Sequence, residues 1–463
     1  MAIARSVLDL VGNTPLVYLN AIPSAKGGRV AAKLEAFNPG GSVKDRIGLA
    51  LVRAGEKAGL LKRGGTIVEP TSGNTGLGLA MAAAVLGYRM VCTVPDKVTK
   101  EKIGLLQAFG AEVVVCPTNV EADDPRSYYK MAERMRDEEG AYLPYQYHDQ
   151  ANPEAHLRTT GPEVWKATGG KVTHFVAGMG TGGTVSGVGR FLKEKNPAVR
   201  IVGADPVGSI LLNYKETGEV DEGKTYMVEG IGMDKIPGTL DIEYVDEIRQ
   251  VADRQSFQMA RRLTREEGLF VGGSSGTIVT VALEVAREVD DPDACVVAML
   301  CDVGERYLSK FHSDEWMREN RMLEEGEVEV RYLLERKGQR DAPPLILIDS
   351  GASVREALAL MEKYNVSQLP VIEGEEQRGS LSEGVLLNRV LEEPEALDQP
   401  LAGYLEAPFP TVDEDASMKV VLGYLTSGED ALLVRRGGQF VGILTKFDVL
   451  HYLTNGSGGA ERG

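Results

Sequence analysis

Short apolar runs alternate with longer helical patterns between about residue 30 and residue 310. The runs are rich in β-branched residues and read GGTIVEP, YRMVCTVP, EVVVCP, THFVAGMG, VRIVGADP and ACVVAMLC. Continuous apolar strands of this kind are buried on both faces, which is typical of a parallel sheet covered by helices. Segments such as LGLAMAAAVLG and SGVGRFLKEKN predict the covering helices. The pattern therefore predicts a layered α/β domain, which we place at 1–312.

The remainder of the chain contains an internal repeat. ASVREALAL is echoed by ASMKVVLGY, and GSLSE by GILTK, each about 63 residues further along. Two echoes at nearly one spacing predict a tandem duplication of a helix–strand–strand–helix unit, at 343–400 and 401–455. Between Ser313 and Asp341, 15 of 29 residues are charged, so we interpret 313–342 as a solvated linker. The glycine-rich end at 456–463 predicts a disordered tail.

The composition is that of an acidic globular chain. Its 463 residues carry a net charge of −17, which argues against nucleic acid or an anionic membrane as a partner. No apolar run approaches the length of a membrane span, and the start lacks the apolar core of a signal peptide, so we expect a cytoplasmic protein. The four cysteines and five histidines show no metal-ligand or CxxC spacing. We therefore predict neither a disulfide framework nor a metal site.

The first candidate for chemistry is NPGGSVKDR at 38–46. Ser42 and Asp45 have the spacing of a capping box, which places Lys44 in the first turn of a helix. The helix dipole disfavours a cation there and lowers the pKa of the ammonium group, as a Schiff-base lysine requires. The alternative is an ordinary surface lysine near a helix start.

The second candidate is EPTSGNTGLG at 69–78, where a strand end turns into a helix. Its polar residues are Thr71, Ser72, Asn74 and Thr75. Hydroxyl and amide groups at a helix N-terminus form a site for a carboxylate. A capped helix start without a ligand is the simpler interpretation of this loop taken alone.

The third candidate is the glycine-rich turn in THFVAGMGTGGTVSG, again between a strand and a helix. The turn consists of Gly180, Thr181, Gly182, Gly183 and Thr184. Bare backbone N–H groups and two hydroxyls at a helix start can bind a phosphate. The same stretch also satisfies G-x-G-x-x-G, with Asp205 some 20 residues further, so a dinucleotide site is the alternative.

The fourth candidate is FVGGSSGT at 270–277, where Ser274 and Ser275 open a helix and a cap is the default role. In order and composition, the four segments resemble the pyridoxal-phosphate enzymes of the β-replacement group, which includes cysteine synthases and cystathionine β-synthases. The resemblance covers about residues 5–310. It implies a two-lobed catalytic domain of fold type II, with parallel-rich sheets covered by helices.

The resemblance also implies roles for individual residues. Lys44 would form the Schiff base with pyridoxal 5′-phosphate, Asn74 would hydrogen-bond its 3-hydroxyl, and Ser274 would face the pyridine nitrogen. The loop Gly180–Thr184 would bind the phosphate, and Thr71, Ser72 and Thr75 the substrate carboxylate. A neutral serine does not keep the ring nitrogen protonated, which favours loss of a β-leaving group over transamination.

The segment YMVEGIGMDKIPGTL at 226–240 bears on the thiol substrate, because it looks like a stretch of the cystathionine β-synthases. Glu229 would pair with the amino group of homocysteine, although a surface acid in a loop is the alternative. The stretch HDQANPEAHLRTTGPEV is equally similar to cysteine synthases. The leading hypothesis is condensation of serine with homocysteine to cystathionine and water, a transsulfuration step, with hydrogen sulfide production as a side activity. The rivals are an O-acetylserine sulfhydrylase with a regulatory tail and a nicotinamide oxidoreductase.

The tandem repeat resembles the paired CBS-domain module of regulated members of this group. In GILTKFDVL, Thr445 and Asp448 would approach the ribose of S-adenosylmethionine or an adenine nucleotide, whereas the first repeat has Val385 in place of the aspartate. A capping pair is the alternative for T-x-x-D. The haem-binding extension and the CxxC of the animal enzyme are missing, so we expect no haem. The resemblance also implies a homodimer or a tetramer of dimers.

Overall fold

The computed structural model describes residues 3–22, 27–71, 73–96, 98–117, 120, 124–289, 291–323, 329–337, 343 and 345–455. The chain divides into two compact units, Met1–Met322 and Leu323–Gly463. Ser72, much of the predicted linker and the predicted tail at 456–463 lie outside the described residues. Among the described helices, none is both long enough and apolar enough to cross a membrane.

Two sheets form the framework of the first unit. The strands are β1 (Leu16–Tyr18), β2 (Arg29–Leu34), β3 (Thr66–Pro70), β4 (Arg89–Pro95), β5 (Glu112–Cys116), β6 (Val172–Gly178), β7 (Arg200–Pro206), β8 (Glu247–Val251) and β9 (Cys295–Leu300). The larger sheet has the order β1-β2-β9-β6-β7-β8 and is parallel except between β1 and β2. The smaller sheet, β3-β4-β5, is entirely parallel. All six strands predicted from the apolar runs are confirmed.

Helices surround both sheets. They are α1 (Lys44–Lys57), α2 (Asn74–Leu86), α3 (Lys100–Ala108), α4 (Tyr128–Glu139), α5 (Ala151–Arg158), α6 (Thr160–Ala167), α7 (Gly183–Lys195), α8 (Leu211–Thr217), α9 (Asp253–Glu267), α10 (Gly273–Glu288) and α11 (Asp314–Glu319). Every residue of β9 is buried, because helices and neighbouring strands cover it on all sides. The fully apolar strands therefore occupy the core that their sequence predicts.

The second unit contains two copies of one small fold. Its strands are β10 (Ile348–Asp349), β11 (Gln368–Glu373), β12 (Glu376–Ser382), β13 (Thr411–Asp413), β14 (Ala431–Arg436) and β15 (Gln439–Thr445). Its helices are α12 (Val330–Lys337), α13 (Val354–Tyr364), α14 (Glu383–Glu392), α15 (Met418–Thr426) and α16 (Lys446–Asn455). Each copy pairs one parallel and one antiparallel strand, and both hairpins shift register at equivalent points, after Val371 and after Val434. The predicted duplication is confirmed.

The division between the units falls inside the segment predicted as a solvated linker. In the first unit, Met317 of α11 is fully buried. In the second unit, Val330 and Leu333 of α12 are buried as well. These helices are amphipathic, so their many charges can remain in water while one apolar face packs.

Candidate active site

Loops that follow the parallel strands of the first unit line one cavity of about 810 Å³. Ligands of α/β sheets commonly bind at this carboxyl edge. The predicted site residues that line the cavity are Lys44, Thr71, Asn74, Thr75, Gly180, Thr181, Glu229 and Ser274. Gly182, Gly183 and Thr184 follow Thr181 directly and begin α7. The four sequence segments thus converge on one site, while Ser72 lies outside the described residues.

Lys44 is the first residue of α1, as predicted. Desolvation by the surrounding protein lowers the pKa of its ammonium group, although Cys301 and Asp302 act in the opposite direction. The predicted capping box is wrong. Ser42 Oγ accepts a hydrogen bond from the Lys44 N–H at 3.2 Å, but Asp45 Oδ2 accepts from the Gly40 N–H at 2.6 Å instead of closing the box. Burial therefore lets Lys44 become a neutral amine at a lower pH than an exposed lysine does.

The start of α2 leaves backbone donors available. Gly73 precedes the helix, and no side chain of the described residues caps it. Thr71 Oγ1 accepts from the Gly73 N–H at 3.2 Å, and Thr75 Oγ1 donates to Gln146 Oε1 at 2.6 Å. Uncapped N–H groups at a helix start favour an anion, so this loop is suited to a carboxylate.

The glycine-rich turn before α7 forms a second anion cradle. Gly182, which precedes the helix, has φ +82°, in the left-handed region that favours glycine, and Thr181 Oγ1 accepts from the Gly183 N–H at 3.4 Å. A Cβ at Gly183 would overlap Asn152 Oδ1, a buried atom with no hydrogen-bond partner among the described residues. Thr181 Oγ1 accepts from Asn152 Nδ2 at 3.1 Å. The bare backbone and the hydroxyl at this turn fit a phosphate group.

Ser274 does not cap α10, so the default interpretation of this residue is wrong. Gly272 precedes the helix, and Ser274 is buried in its first turn beside the thiol of Cys301. Burial raises the pKa of that thiol to about 12. Ser275 Oγ accepts from the Cys301 N–H at 3.0 Å. Sequence analysis overlooked Cys301, although its place directly after β9 was a signal that it reaches the carboxyl edge of the sheet.

Glu229 lies in a charged cluster rather than alone. Its carboxylate pairs with Lys310 Nζ at 2.5 Å and with Lys102 Nζ through the other oxygen. Burial acts to raise the pKa of Glu229, but the two lysines hold it below its usual range. Both lysines line the cavity, and the sequence offered no motif that singled them out. The cluster therefore presents charges of both signs to a ligand.

Comparison with known proteins agrees with this site. A family model described as pyridoxal-phosphate dependent enzyme matches residues 7–302, and a CBS domain model matches 341–392 and 403–455. The chain therefore belongs to the pyridoxal-phosphate-dependent enzyme family and carries a pair of CBS domains.

Within that family, cystathionine beta-synthases are similar over nearly the whole chain. The protein of Oryctolagus cuniculus is 37% identical over 98% of this chain and 85% of its own length. The protein of Dictyostelium discoideum is 35% identical over 97% of this chain and 92% of its own length. A crystal structure of O-ureido-L-serine synthase has a TM-score of 0.63 and 37% identity, over 68% of this chain and 98% of that one. A hydrogen sulfide-producing enzyme of Fusobacterium nucleatum has a TM-score of 0.61 and 36% identity, over 66% and 98%.

Proposed function

We propose that this chain is a cystathionine β-synthase that condenses L-serine with L-homocysteine to L-cystathionine and water. The observation that carries the proposal is the convergence of Lys44, two anion cradles and the Glu229 cluster on one cavity. Similarity to cystathionine beta-synthases extends over both the enzyme domain and the CBS pair. Pyridoxal 5′-phosphate, when bound, withdraws electrons from the substrate so that the α-proton and the β-substituent can leave.

The residues of the cavity divide the work of holding the cofactor. Lys44 would attach it through Nζ, because burial lowers the pKa of this lysine and thereby favours the neutral, nucleophilic amine. The turn Gly180–Thr184 holds the phosphate with backbone N–H groups and hydroxyls. Asn74 donates to the 3-oxygen, and the neutral hydroxyl of Ser274 faces the ring nitrogen.

Serine binds through its carboxylate, for which Thr71 and Thr75 beside the start of α2 provide donors. Ser72, proposed for the same role, lies outside the described residues. Once serine is bound, Lys44 Nζ would remove the α-proton. It delivers a proton to the departing hydroxyl, which leaves as water. The thiol of homocysteine would then pass its proton to Lys44 Nζ as it forms the new carbon–sulfur bond, and Lys44 would deliver that proton to the α-carbon.

Homocysteine carries both an amino group and a carboxylate, and the Glu229 cluster has a partner for each. Glu229 pairs with the amino group, and a lysine of the cluster, Lys102 or Lys310, turns to the carboxylate. Ion pairs are thereby exchanged rather than lost, which avoids leaving an unpaired charge in a partly buried site. Cysteine in place of serine would release sulfide instead of water, and the similar hydrogen sulfide-producing enzyme supports this side activity.

The test of the cofactor is the colour of the purified protein. We expect a visible absorbance band that borohydride bleaches, with the reduced cofactor located on Lys44 by peptide mapping. Lys44→Ala should prevent this covalent labelling. A colourless protein that stays inactive with added pyridoxal phosphate would contradict the proposal and reopen the nicotinamide alternative.

The second candidate is an O-acetylserine sulfhydrylase with a regulatory tail. It is favoured by similarity of the enzyme domain to a synthase and a sulfide-producing enzyme that match only about two thirds of this chain. Steady-state rates for serine with homocysteine and for O-acetylserine with sulfide decide between the two. A higher kcat/KM for O-acetylserine with sulfide would overturn the leading proposal.

The second CBS repeat is proposed to bind S-adenosylmethionine, with an adenine nucleotide as the alternative, at Thr445 and Asp448. Asp448 Oδ2 accepts from Thr445 N and Oγ1 at 2.9 and 2.8 Å, and also from Lys337 Nζ at 2.9 Å. This is the geometry of a capping pair. It places the Asp448 carboxylate at the start of α16, where it can also accept hydrogen bonds from a ribose. Calorimetry with S-adenosylmethionine, AMP and ATP tests binding, and heat that is unchanged in Asp448→Ala would remove the assignment.

The further parts of the proposal are a cytoplasmic, haem-free enzyme that forms a homodimer or a tetramer of dimers. Leu10 and Phe37 support self-association, since both are more than half exposed on segments joined by a hydrogen bond from the Gly12 N–H to Asn38 Oδ1. Light scattering tests the oligomer, and a monomer at micromolar concentration would contradict it. The absorbance spectrum tests whether the enzyme is haem-free, and a haem band would contradict this.

A further inference from the structure

The side-chain amide of Asn74 is held between two charged residues from another part of the chain. Asn74 Nδ2 donates to Asp302 Oδ2 at 2.7 Å, and Arg306 Nη1 donates to Asn74 Oδ1. Asp302 and Arg306 are both buried, at 1% and 9% exposure. Tyr307 completes the group, because its hydroxyl donates to Asp302 Oδ2 at 2.7 Å.

These contacts leave the amide only one orientation. A guanidinium group has donors and no acceptor, so the atom of Asn74 that faces Arg306 must be the oxygen. The nitrogen then faces Asp302 and uses one of its two N–H groups there. Since Asn74 lines the cavity together with Lys44, the remaining N–H is the group that a ligand can meet.

Arg306 also joins this amide to the turn that carries Lys44. Its Nη2 donates to the carbonyl oxygen of Gly40. Burial raises the pKa of the nearby Asp45 to about 6, and the charge of Arg306 limits this rise. The Gly40 N–H in turn donates to Asp45 Oδ2. One buried cation thus fixes the position of Asn74 relative to the start of α1.

We propose that Arg306 and Asp302 are positioning residues that present an Asn74 N–H to the 3-oxygen of the cofactor, and that the charge of Arg306 strengthens this N–H as a donor. This inference rests on the proposed use of pyridoxal phosphate. The Arg306 charge draws electron density from the amide oxygen, so the amide N–H becomes more positive, and hydrogen bonds in such a chain reinforce one another. The 3-oxygen is therefore held in its deprotonated form.

The experiment compares absorbance spectra of cofactor-loaded wild type, Arg306→Lys and Arg306→Met at one pH. The ratio of the long-wavelength band to the near-ultraviolet band reports deprotonated against protonated 3-oxygen. We expect this ratio to fall about tenfold in Arg306→Met, equivalent to ~1.4 kcal/mol. Arg306→Lys retains the charge but not the paired donors, so it should lie between Arg306→Met and wild type. If Arg306→Met does not fold, Arg306→Lys carries the comparison.

Two controls separate positioning from general stability. Arg261 is as buried as Arg306 but donates to the Phe311 carbonyl and Asp314, so Arg261→Lys should leave the band ratio unchanged. In an Asn74→Ala background, substitution of Arg306 should no longer change the ratio, because the effect passes through Asn74.

Unchanged spectra in both Arg306 variants, or a shift that persists without Asn74, would overturn the inference. A wild-type protein with no cofactor band would instead overturn the proposed function.

Discussion

Gly78 of α2 lies directly against the main-chain carbonyl of Lys44. A Cβ at residue 78 would be only 2.5 Å from the Lys44 oxygen. The contact is reciprocal, since a Cβ at Gly48 of α1 would overlap the backbone of Gly78. Glycine on both helices lets α1 and α2 approach this closely, which brings Lys44 and Asn74 to the same cavity.

Gly78→Ala should therefore impair the site by displacing the helix that carries Lys44. The added methyl group must push α1 away, and overpacking of this kind costs about 1–3 kcal/mol of the free energy of unfolding. We expect a lower melting temperature and a lower kcat for serine with homocysteine. Gly104→Ala in α3 is the control, because no atom of the described residues lies within 4 Å of the added Cβ. A Gly78→Ala enzyme as stable and active as wild type would show that α1 and α2 are not tightly packed.

The buried carboxyl of Asp205 predicts a pH dependence of stability. Burial raises its pKa from 3.8 to about 7, although hydrogen bonds with Ser209 and Gln250 act against this. The folded state therefore keeps a proton that the unfolded state loses, and the contribution of Asp205 to stability declines as the pH rises from about 4 to about 7. Asp205→Asn has the same shape without the charge.

We expect the melting temperature of Asp205→Asn minus that of wild type to increase from about pH 4 to about pH 7, where only the wild type loses stability through Asp205. Cofactor content should not change, because Asp205 serves the fold and not a ribose. A difference in melting temperature that is constant with pH would refute the raised pKa.

Glu229→Gln should raise KM for homocysteine more than it lowers kcat. The substitution removes a charge that two lysines already balance, and each 1.4 kcal/mol of lost binding is about tenfold in affinity. We expect an increase in KM of about tenfold, with KM for serine little changed. Glu194→Gln, on an exposed pair with Arg190, is the control. Equal loss for both substrates would indicate that Glu229 supports the cavity rather than one thiol substrate.

The fold was predictable where local pattern and burial agree. Continuous apolar strands and the echo between the two repeats depend on residues close in sequence, so they could be recognised without a structure. The positions of Lys44, Asn74 and Ser274 at helix starts followed from the same local signals.

The clamp on Asn74 could not be predicted in this way. Arg306 and Asp302 follow β9, more than 200 residues after Asn74, and only the strand order β2-β9-β6 brings them to it. The Glu229 cluster has the same origin, because Lys102 and Lys310 are more than 200 residues apart in the sequence. The failed capping box shows a further limit, since Asp45 bonds Gly40 within a turn whose shape the spacing alone does not determine.

The last prediction concerns Lys337, whose ammonium group forms an ion pair with Asp448, the carboxylate proposed to bind an effector. Lys337 Nζ lies 2.9 Å from Asp448 Oδ2 and also donates to the carbonyl oxygen of Ile443 at 2.8 Å. It competes with ribose hydroxyls for Asp448, and its charge repels the cationic sulfonium of S-adenosylmethionine while attracting a nucleotide phosphate. Lys337→Ala should therefore tighten S-adenosylmethionine binding several-fold in calorimetry and weaken that of AMP and ATP. Lys446→Ala, which removes an exposed pair with Asp430 in the same module, should change neither. Weaker binding of S-adenosylmethionine in Lys337→Ala would mean that this lysine supports the site instead of competing for it.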